Sequence, residues 1–178
     1  MKMKKILVVL VLFAGIPAMG FPGEADSKAL YTAVEYSFSE FFPINLGMKI
    51  GCEKIYGHFG VAFDPFEEGS LGRNAAFVLG LGAILSITDA FFFNPEFFGM
   101  GNLKEFQAYL GMVPYFGVNI LKRLSLAVGP SVIWSRVTAK YALREPSFAF
   151  FEDEYLSNDA TGRNSIVVGA RAALRLKL

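Results

Sequence analysis

Five charged residues fall at positions where their side chains would share one confined space. Glu35, Lys49, Glu96, Arg171 and Arg175 each lie in a stretch where apolar and non-apolar residues alternate, and each falls on the non-apolar parity. Such alternation predicts a β-strand, because successive side chains point to opposite faces. Charges removed from open water must be paired, and the planar guanidinium of Arg matches a carboxylate. We therefore expect an interior ion-pair network, with Glu35 and Arg171 within reach of each other.

Catalytic or metal chemistry has few residues to draw on. His58 is the only histidine and Cys52 the only cysteine, so a His-based metal cluster and an intramolecular disulfide are both excluded. His58 with Ser131 or Glu96 is the sole candidate for a catalytic group, and no sequence spacing supports it. We predict no enzymatic activity, no cofactor and no metal.

The carboxyl-terminal stretch from Asn164 to Leu178 shows the alternation most clearly. One parity is apolar and the other is small or cationic; the apolar set is Ile166, Val168, Ala170, Ala172, Leu174, Leu176 and Leu178. Small residues mixed with Arg suit the crowded interior of a narrow barrel, and the apolar set suits lipid. This strand therefore predicts a barrel with an apolar outside and a polar inside.

Seven further stretches are predicted as strands, which gives eight; six of them alternate clearly, and the fifth in chain order has aromatic residues on both parities. They are Ala29 to Phe41, Asn45 to Gly51, Ile55 to Phe63, Ala75 to Ile87, Ala90 to Phe98, Glu105 to Val118, Leu124 to about Tyr141, and Asn164 to Leu178. The fold class expected is all-β, an antiparallel up-and-down transmembrane β-barrel of eight strands. An even number of strands places both chain ends on one side of the membrane.

The connections alternate between short and long. Turns are predicted near Glu53, at Thr88 and Asp89, and at Leu121 to Arg123; loops are predicted at Asp64 to Arg73, Gly99 to Lys104 and Leu143 to Arg163. Pro95, Pro114 and Pro130 lie within predicted strands although proline lacks the N–H that a strand ladder uses. We expect local bulges to accommodate them.

The amino terminus predicts export. Lys2, Lys4 and Lys5 precede an apolar run from Ile6 to Ile16, and a small-residue pattern ends at Gly20. This is typical of a signal peptide cleaved after Gly20, leaving residues 21–178 as one barrel domain. Removing three lysines changes the formal charge from +1 to 1 − 3 = −2, so nothing basic remains to attract nucleic acid.

The composition also favours spanning strands. The chain is 53% hydrophobic and contains nineteen Phe, yet after the predicted signal peptide no apolar run reaches about 20 residues. Apolar content dispersed two residues at a time is the pattern of a membrane barrel. Trp134, Tyr36 and Tyr141 are expected in the aromatic girdles where strands cross the membrane surface.

With these features the mature chain resembles small bacterial outer-membrane barrels of the OmpA, OmpX and OmpW type. The resemblance implies insertion into outer-membrane lipid by the barrel assembly machinery. That machinery usually reads a terminal Phe, and Leu178 stands in its place.

The last predicted loop combines aromatic and acidic residues. Phe148, Phe150, Phe151 and Tyr155 accompany several carboxylates, and such a set can anchor a partner or pack on itself as a strand extension. The function expected is a non-enzymatic outer-membrane barrel with an ion-paired lumen and surface loops for structural or recognition roles, including contact with an extracellular ligand. The alternatives are a narrow conduit for small solutes, apolar ones included, then a lipid-modifying enzyme, then a secreted lipocalin-like binder.

Overall fold

The protein folds as an all-β structure. A computed structural model describes residues 31–52, 54–66, 74–102, 107–138, 144–147, 149–153 and 162–178. The predicted signal peptide, the start of the predicted first strand, Phe148 and Tyr155 lie outside these residues. No helix in the described ranges is long and apolar enough to cross a membrane.

Ten strands are present in these ranges. In chain order they are β1 Tyr31–Phe38, β2 Ile44–Gly51, β3 Ile55–Phe63, β4 Ala75–Ala83, β5 Leu85–Ser86, β6 Phe91–Asn102, β7 Gln107–Asn119, β8 Leu124–Thr138, β9 Phe151–Asp153 and β10 Gly162–Lys177.

The strands close into an eight-stranded antiparallel up-and-down barrel, as predicted. Each main strand pairs with the next along the chain, and β1 pairs with β10 from Ala33 opposite Lys177 to Phe38 opposite Ala172. The short β5 continues β4 in the same register against β6. The short β9 pairs with β10 at Ile166 to Val168, beyond the level where β1 ends.

The two parities take the two faces expected of them. Large apolar side chains are exposed on the outside at alternate positions of β3, β4, β6, β7 and β8, such as Phe59, Leu79, Phe97, Leu110 and Val128. The opposite parity is buried inside and carries Glu35, Lys49, Glu96, Arg171 and Arg175. The outside is therefore an apolar belt, and the lumen is lined by polar, aromatic and small side chains.

The main differences from the sequence-based strand boundaries lie at three places, besides the short β9, which falls within the predicted loop at Leu143 to Arg163. The predicted first strand stops at Phe38, and residues 39–43 turn into the barrel. The predicted loop at Gly99 to Lys104 is wrong over its first part, because β6 continues to Asn102. The predicted fourth strand is interrupted at Ile84.

Three prolines form a row across the barrel wall. Pro95 on β6 lies opposite Pro114 on β7, and Pro130 on β8 lies opposite Ala170 on β10. Between β7 and β8 the pairing stops after Met112–Val132 and resumes at Phe116–Val128 with an unchanged register, which sets Pro114 against Pro130. The unchanged register excludes the bulges that we predicted, since a bulge would shift it by one residue.

The missing N–H of Pro95 is replaced by a side chain. The register of β4 and β5 against β6 places Ala83 opposite Pro95, and no ladder pair forms there. Instead the Asn94 side-chain amide donates to the Ala83 carbonyl at 2.6 Å. Because a side chain replaces the main-chain donor at Ala83, the strand ladder is interrupted there, and β4 and β5 are separate pieces of one strand.

Candidate functional site in the barrel lumen

Four of the five predicted interior charges meet at one level of the lumen. We call Glu35, Lys49, Glu96 and Arg175 the ion cluster; each is at most 3% exposed. They come from β1, β2, β6 and β10, so the cluster ties together strands far apart in sequence. Two carboxylates face two cations, and the cluster is electrically balanced.

Lys49 lies at the centre of the ion cluster. Its Nζ is 2.7 Å from Glu35 Oε2 and also contacts Glu96 Oε2. Arg175 Nε donates to Glu35 Oε2 at 2.5 Å. Because each carboxylate has a cation at hydrogen-bond distance, the cost of burying these charges is offset locally.

Aromatic and neutral polar side chains complete the ion cluster. The Tyr56 hydroxyl donates to Glu96 Oε2 at 2.7 Å and also bonds with the Asn94 side chain. The Arg175 guanidinium carbon lies 5.0 Å from the centroid of the Tyr115 ring. These neutral partners were recognisable from parity alone, because each falls on the interior face of its predicted strand.

His58 is a member of the same network. Its Nδ1 lies 2.7 Å from Glu96 Oε1. Its ring fits because Gly47 on the neighbouring β2 has no side chain: an ideal Cβ there would stand 2.3 Å from His58 Nε2. The Ser131 hydroxyl donates to the Glu40 carboxylate instead. Among the described residues, no hydroxyl or thiol nucleophile is hydrogen-bonded to His58. The geometry is that of a paired interior histidine.

Two carboxylates of the ion cluster and the neighbouring His58 also lie close together. One atom each of Glu35, His58 and Glu96 falls within 4.8 Å of the others. Lys49 Nζ contacts both carboxylates and so occupies the position that a metal ion would need. The arrangement is already neutralised and does not fit a metal.

The fifth predicted charge has a different partner. Arg171 Nε donates to Glu40 Oε2 at 3.1 Å, so the expectation of a Glu35–Arg171 pair is wrong. The reason is the register of β1 on β10, which sets Glu35 opposite Arg175 instead.

Glu40 belongs to a segment that sequence reasoning misplaced. We call residues 39–43 the hook; they connect β1 to β2 by entering the lumen, and all five are buried. The Ser39 hydroxyl donates to the Phe42 carbonyl at 2.7 Å, and the Asn45 amide donates to the same carbonyl at 3.0 Å, so the hook closes on itself. Burial raises the pKa of the Glu40 carboxyl above its ordinary value, and the charge of Arg171 opposes that shift.

A second connection covers the hook. We call residues 144–147 the strap. Ser147 N donates to the Glu40 carbonyl at 2.6 Å, and Arg144 Nε donates to the Phe41 carbonyl at 3.0 Å. Arg144 also pairs with Asp64 of the β3–β4 connection at 2.7 Å. The hook-bearing end of the barrel is thereby closed.

The predicted recognition loop is described only in part. Phe150 and Phe151 are exposed, at 76% and 54%, and Phe151 begins β9. Phe66, at the same end of the barrel, is 80% exposed. These three aromatic side chains are therefore exposed at the hook-bearing end of the barrel.

Comparisons with protein-family models, curated proteins and solved structures found no match to this chain.

Proposed function

We propose that this protein is a non-enzymatic β-barrel of the bacterial outer membrane, exported by a cleaved signal peptide. Its lumen is sealed by ion pairs and the hook, and its surface connections serve structural or recognition roles. The OmpA, OmpX and OmpW type remains the resemblance that guides this proposal.

The observation that carries the proposal is the distribution of polarity. Leu79, Leu81, Phe97 and Phe77 are each more than 60% exposed on the outside, whereas the ion cluster is buried inside. Soluble monomers rarely expose contiguous apolar surface on this scale. A lipocalin-like binder would have the reverse arrangement, with apolar side chains inside and charges outside. Hydrocarbon around the barrel is the solvent that fits this surface.

Cell fractionation with a gel-mobility measurement tests the proposal. The full chain, expressed in a Gram-negative host, should fractionate with outer membranes and migrate faster on gels before boiling than after it. Recovery as a soluble monomer without detergent would contradict the proposal and favour the secreted binder.

The filled lumen favours a sealed barrel over the conduit alternative. An eight-stranded barrel is only just wide enough for its own side chains, and here the hook and the ion cluster occupy that space. In planar lipid bilayers we expect the wild-type protein to show no conductance. Arg171→Ala, which leaves Glu40 without its cation, should raise conductance, whereas Lys122→Ala in an exposed turn should not. Conductance steps of equal size in all three proteins would support the conduit.

The exposed aromatic rings support a recognition role. Phe66, Phe150 and Phe151 lie on two connections joined by the Arg144–Asp64 pair. Aromatic side chains, Phe among them, are enriched at protein-binding surfaces. Simultaneous replacement of these three rings by Ser should abolish binding to an extracellular partner while leaving outer-membrane insertion unchanged.

A further inference from the structure

The hook occupies the barrel as a bound ligand would. Phe41 and Phe42 are both 0% exposed, and their rings contact Tyr109 with centroid distances of 4.7 and 5.9 Å. Hook residues take no part in the strand ladder, because β1 ends at Phe38 and β2 begins at Ile44. The hook is therefore an inserted segment rather than part of the wall.

The space around the hook has two chemical halves. We call it the hook chamber. Its apolar half is the buried cluster to which Phe41 and Phe42 belong, which includes side chains from three further strands, namely Phe98, Met100, Tyr109, Val113 and Ile133. Its polar half contains Arg171 and Ser131, both of which bond to the Glu40 carboxylate. The hook thus presents two phenyl rings and one carboxylate to a chamber that complements each of them.

Arg171 restricts what else can occupy the chamber. Its guanidinium carbon lies 3.8 Å from the centroid of the Phe98 ring, and Glu40 is its only carboxylate partner among the described residues. A buried guanidinium without an anion is costly. Any molecule that replaces the hook must therefore bring an anion to the position of the Glu40 carboxylate, together with an apolar body.

The hook is held by contacts that can be exchanged. Besides the Glu40 contacts, its main chain accepts hydrogen bonds from Ser147 and Arg144 of the strap, at the hook-bearing end of the barrel. Water or a ligand can replace the partner in each of these hydrogen bonds, and the hydrogen bonds between the strands stay in place. Displacement of the hook leaves the barrel wall intact.

We propose that the hook chamber is a binding site for an apolar carboxylate, a molecule with one carboxylate and an aromatic or aliphatic body, and that the hook is its displaceable internal competitor. The carboxylate takes the place of Glu40 on Arg171 and Ser131. The apolar body takes the place of Phe41 and Phe42. This inference goes beyond the proposed function and does not depend on where the barrel resides.

Binding of 2-naphthoate provides the first test, measured by titration calorimetry on the full chain in a zwitterionic detergent. The uncharged 2-naphthalenemethanol controls for partition into detergent and onto the apolar belt. Glu40→Gln weakens the internal competitor at nearly constant size, so it should bind 2-naphthoate about tenfold more tightly than wild type. Arg171→Met should lose the preference for the carboxylate over the alcohol.

A disulfide that locks the hook provides the second test. An ideal Cβ at Gly169 would lie 2.5 Å from Glu40 Cγ, so cysteines at these two positions are close enough to bridge. The variant Glu40→Cys/Gly169→Cys is made in a Cys52→Ala background, and the same sample is measured oxidised and then reduced. The oxidised protein should not bind 2-naphthoate, and reduction should restore binding at the level of Glu40→Gln.

Two results would overturn the inference. One is the absence of saturable 2-naphthoate binding by both Glu40→Gln and the reduced double-cysteine protein. The other is binding of equal affinity in the oxidised and reduced forms, which would place the molecule outside the chamber. Because oxidised and reduced forms share one folded chain, a folding defect in a single variant does not decide the outcome.

Discussion

At the scale of single residues, Lys49 is the side chain on which the ion cluster depends most. Its Nζ contacts both buried carboxylates, and Tyr56 also lies within hydrogen-bond distance of it at 3.1 Å. Removing this cation leaves Glu35 and Glu96 facing each other with Arg175 as the only remaining cation of the cluster. Such a loss is more costly than removing both partners of a pair.

We therefore predict that Lys49→Met lowers the free energy of unfolding by about 3 kcal/mol. Urea-dependent folding into lipid vesicles, followed by the fluorescence of the single Trp134, measures the change. Lys54→Met is the matched control, because the Lys54 side chain is exposed in the β2–β3 turn and should alter stability by less than about 0.5 kcal/mol. Equal effects of the two variants would show that the cluster does not stabilise the barrel.

Gly47 is the residue that admits His58 to the ion cluster. A Cβ at this position would overlap the imidazole, so Gly47→Ala should push His58 away from Glu96 and cost roughly 1–3 kcal/mol. The same substitution at Gly101 meets nothing within 4 Å and should be close to neutral. Two-dimensional NMR of the His58 ring, alongside urea unfolding, checks both results. A stable Gly47→Ala protein with an unchanged His58 resonance would contradict the packing described here.

Sequence parity was sufficient to place the charges inside but not to pair them. Glu35, Lys49, Glu96 and Arg175 meet because each lies on the interior face of its strand. The partner of Arg171 could not be predicted from the sequence, because pairing depends on the register of β1 on β10. A shift of four residues in that register moves a side chain about 13 Å along a strand. Glu40 itself carried a usable signal: continued strand parity would have put its carboxylate on the lipid face, which is a reason to end the strand before it.

At the scale of elements, the row of prolines divides the wall into unequal seams. The β6–β7 and β8–β10 ladders run continuously through Pro114 and Pro130. The nitrogens of these two prolines, which carry no hydrogen, therefore point toward each other between β7 and β8. At Pro95 the corresponding gap is filled by the Asn94 amide. The β7–β8 seam is therefore the weakest junction of the row.

Restoring a donor at this seam should stabilise the barrel. Pro114→Val supplies an N–H toward the Pro130 carbonyl and should be more stable than Pro95→Val by about 1 kcal/mol, the net value of one hydrogen bond. Comparing the two variants cancels the similar effect of losing a proline from the unfolded chain. Urea unfolding in vesicles measures the stability of both variants. A Pro95→Val protein as stable as Pro114→Val would contradict the prediction that the β7–β8 seam lacks a hydrogen bond that can be restored.

The strands themselves were predictable because alternation persists through most of them and across Pro114 and Pro130; the fifth, from Ala90 to Phe98, has aromatic residues on both parities. Their ends were less so. Gly99 and Gly101 fall in the predicted loop at Gly99 to Lys104, yet they lie within β6 because paired neighbours on β4 and β7 hold them extended. The parity of Glu40 could have ended the first strand, but the inward turn of Phe41 and Phe42 was not predictable, because their burial depends on contacts with distant strands.

At the scale of the whole molecule, the location of the barrel depends on which solvent meets each face of its wall. Parity predicted the closed barrel because a chain with one apolar and one charged face has few other ways to satisfy both. The location in a membrane stays a prediction, since the same wall would serve any apolar surroundings.

Nitroxide accessibility at the apolar belt tests this central claim most directly. Spin labels are attached at Leu79→Cys on the belt and, as a control, at Asp89→Cys in an exposed turn, each in the Cys52→Ala background and reconstituted in lipid vesicles. We predict that the label at position 79 is relaxed strongly by oxygen and weakly by a water-soluble nickel chelate, with the reverse at position 89. Strong relaxation by the nickel chelate at position 79 would place the belt in water and contradict the account.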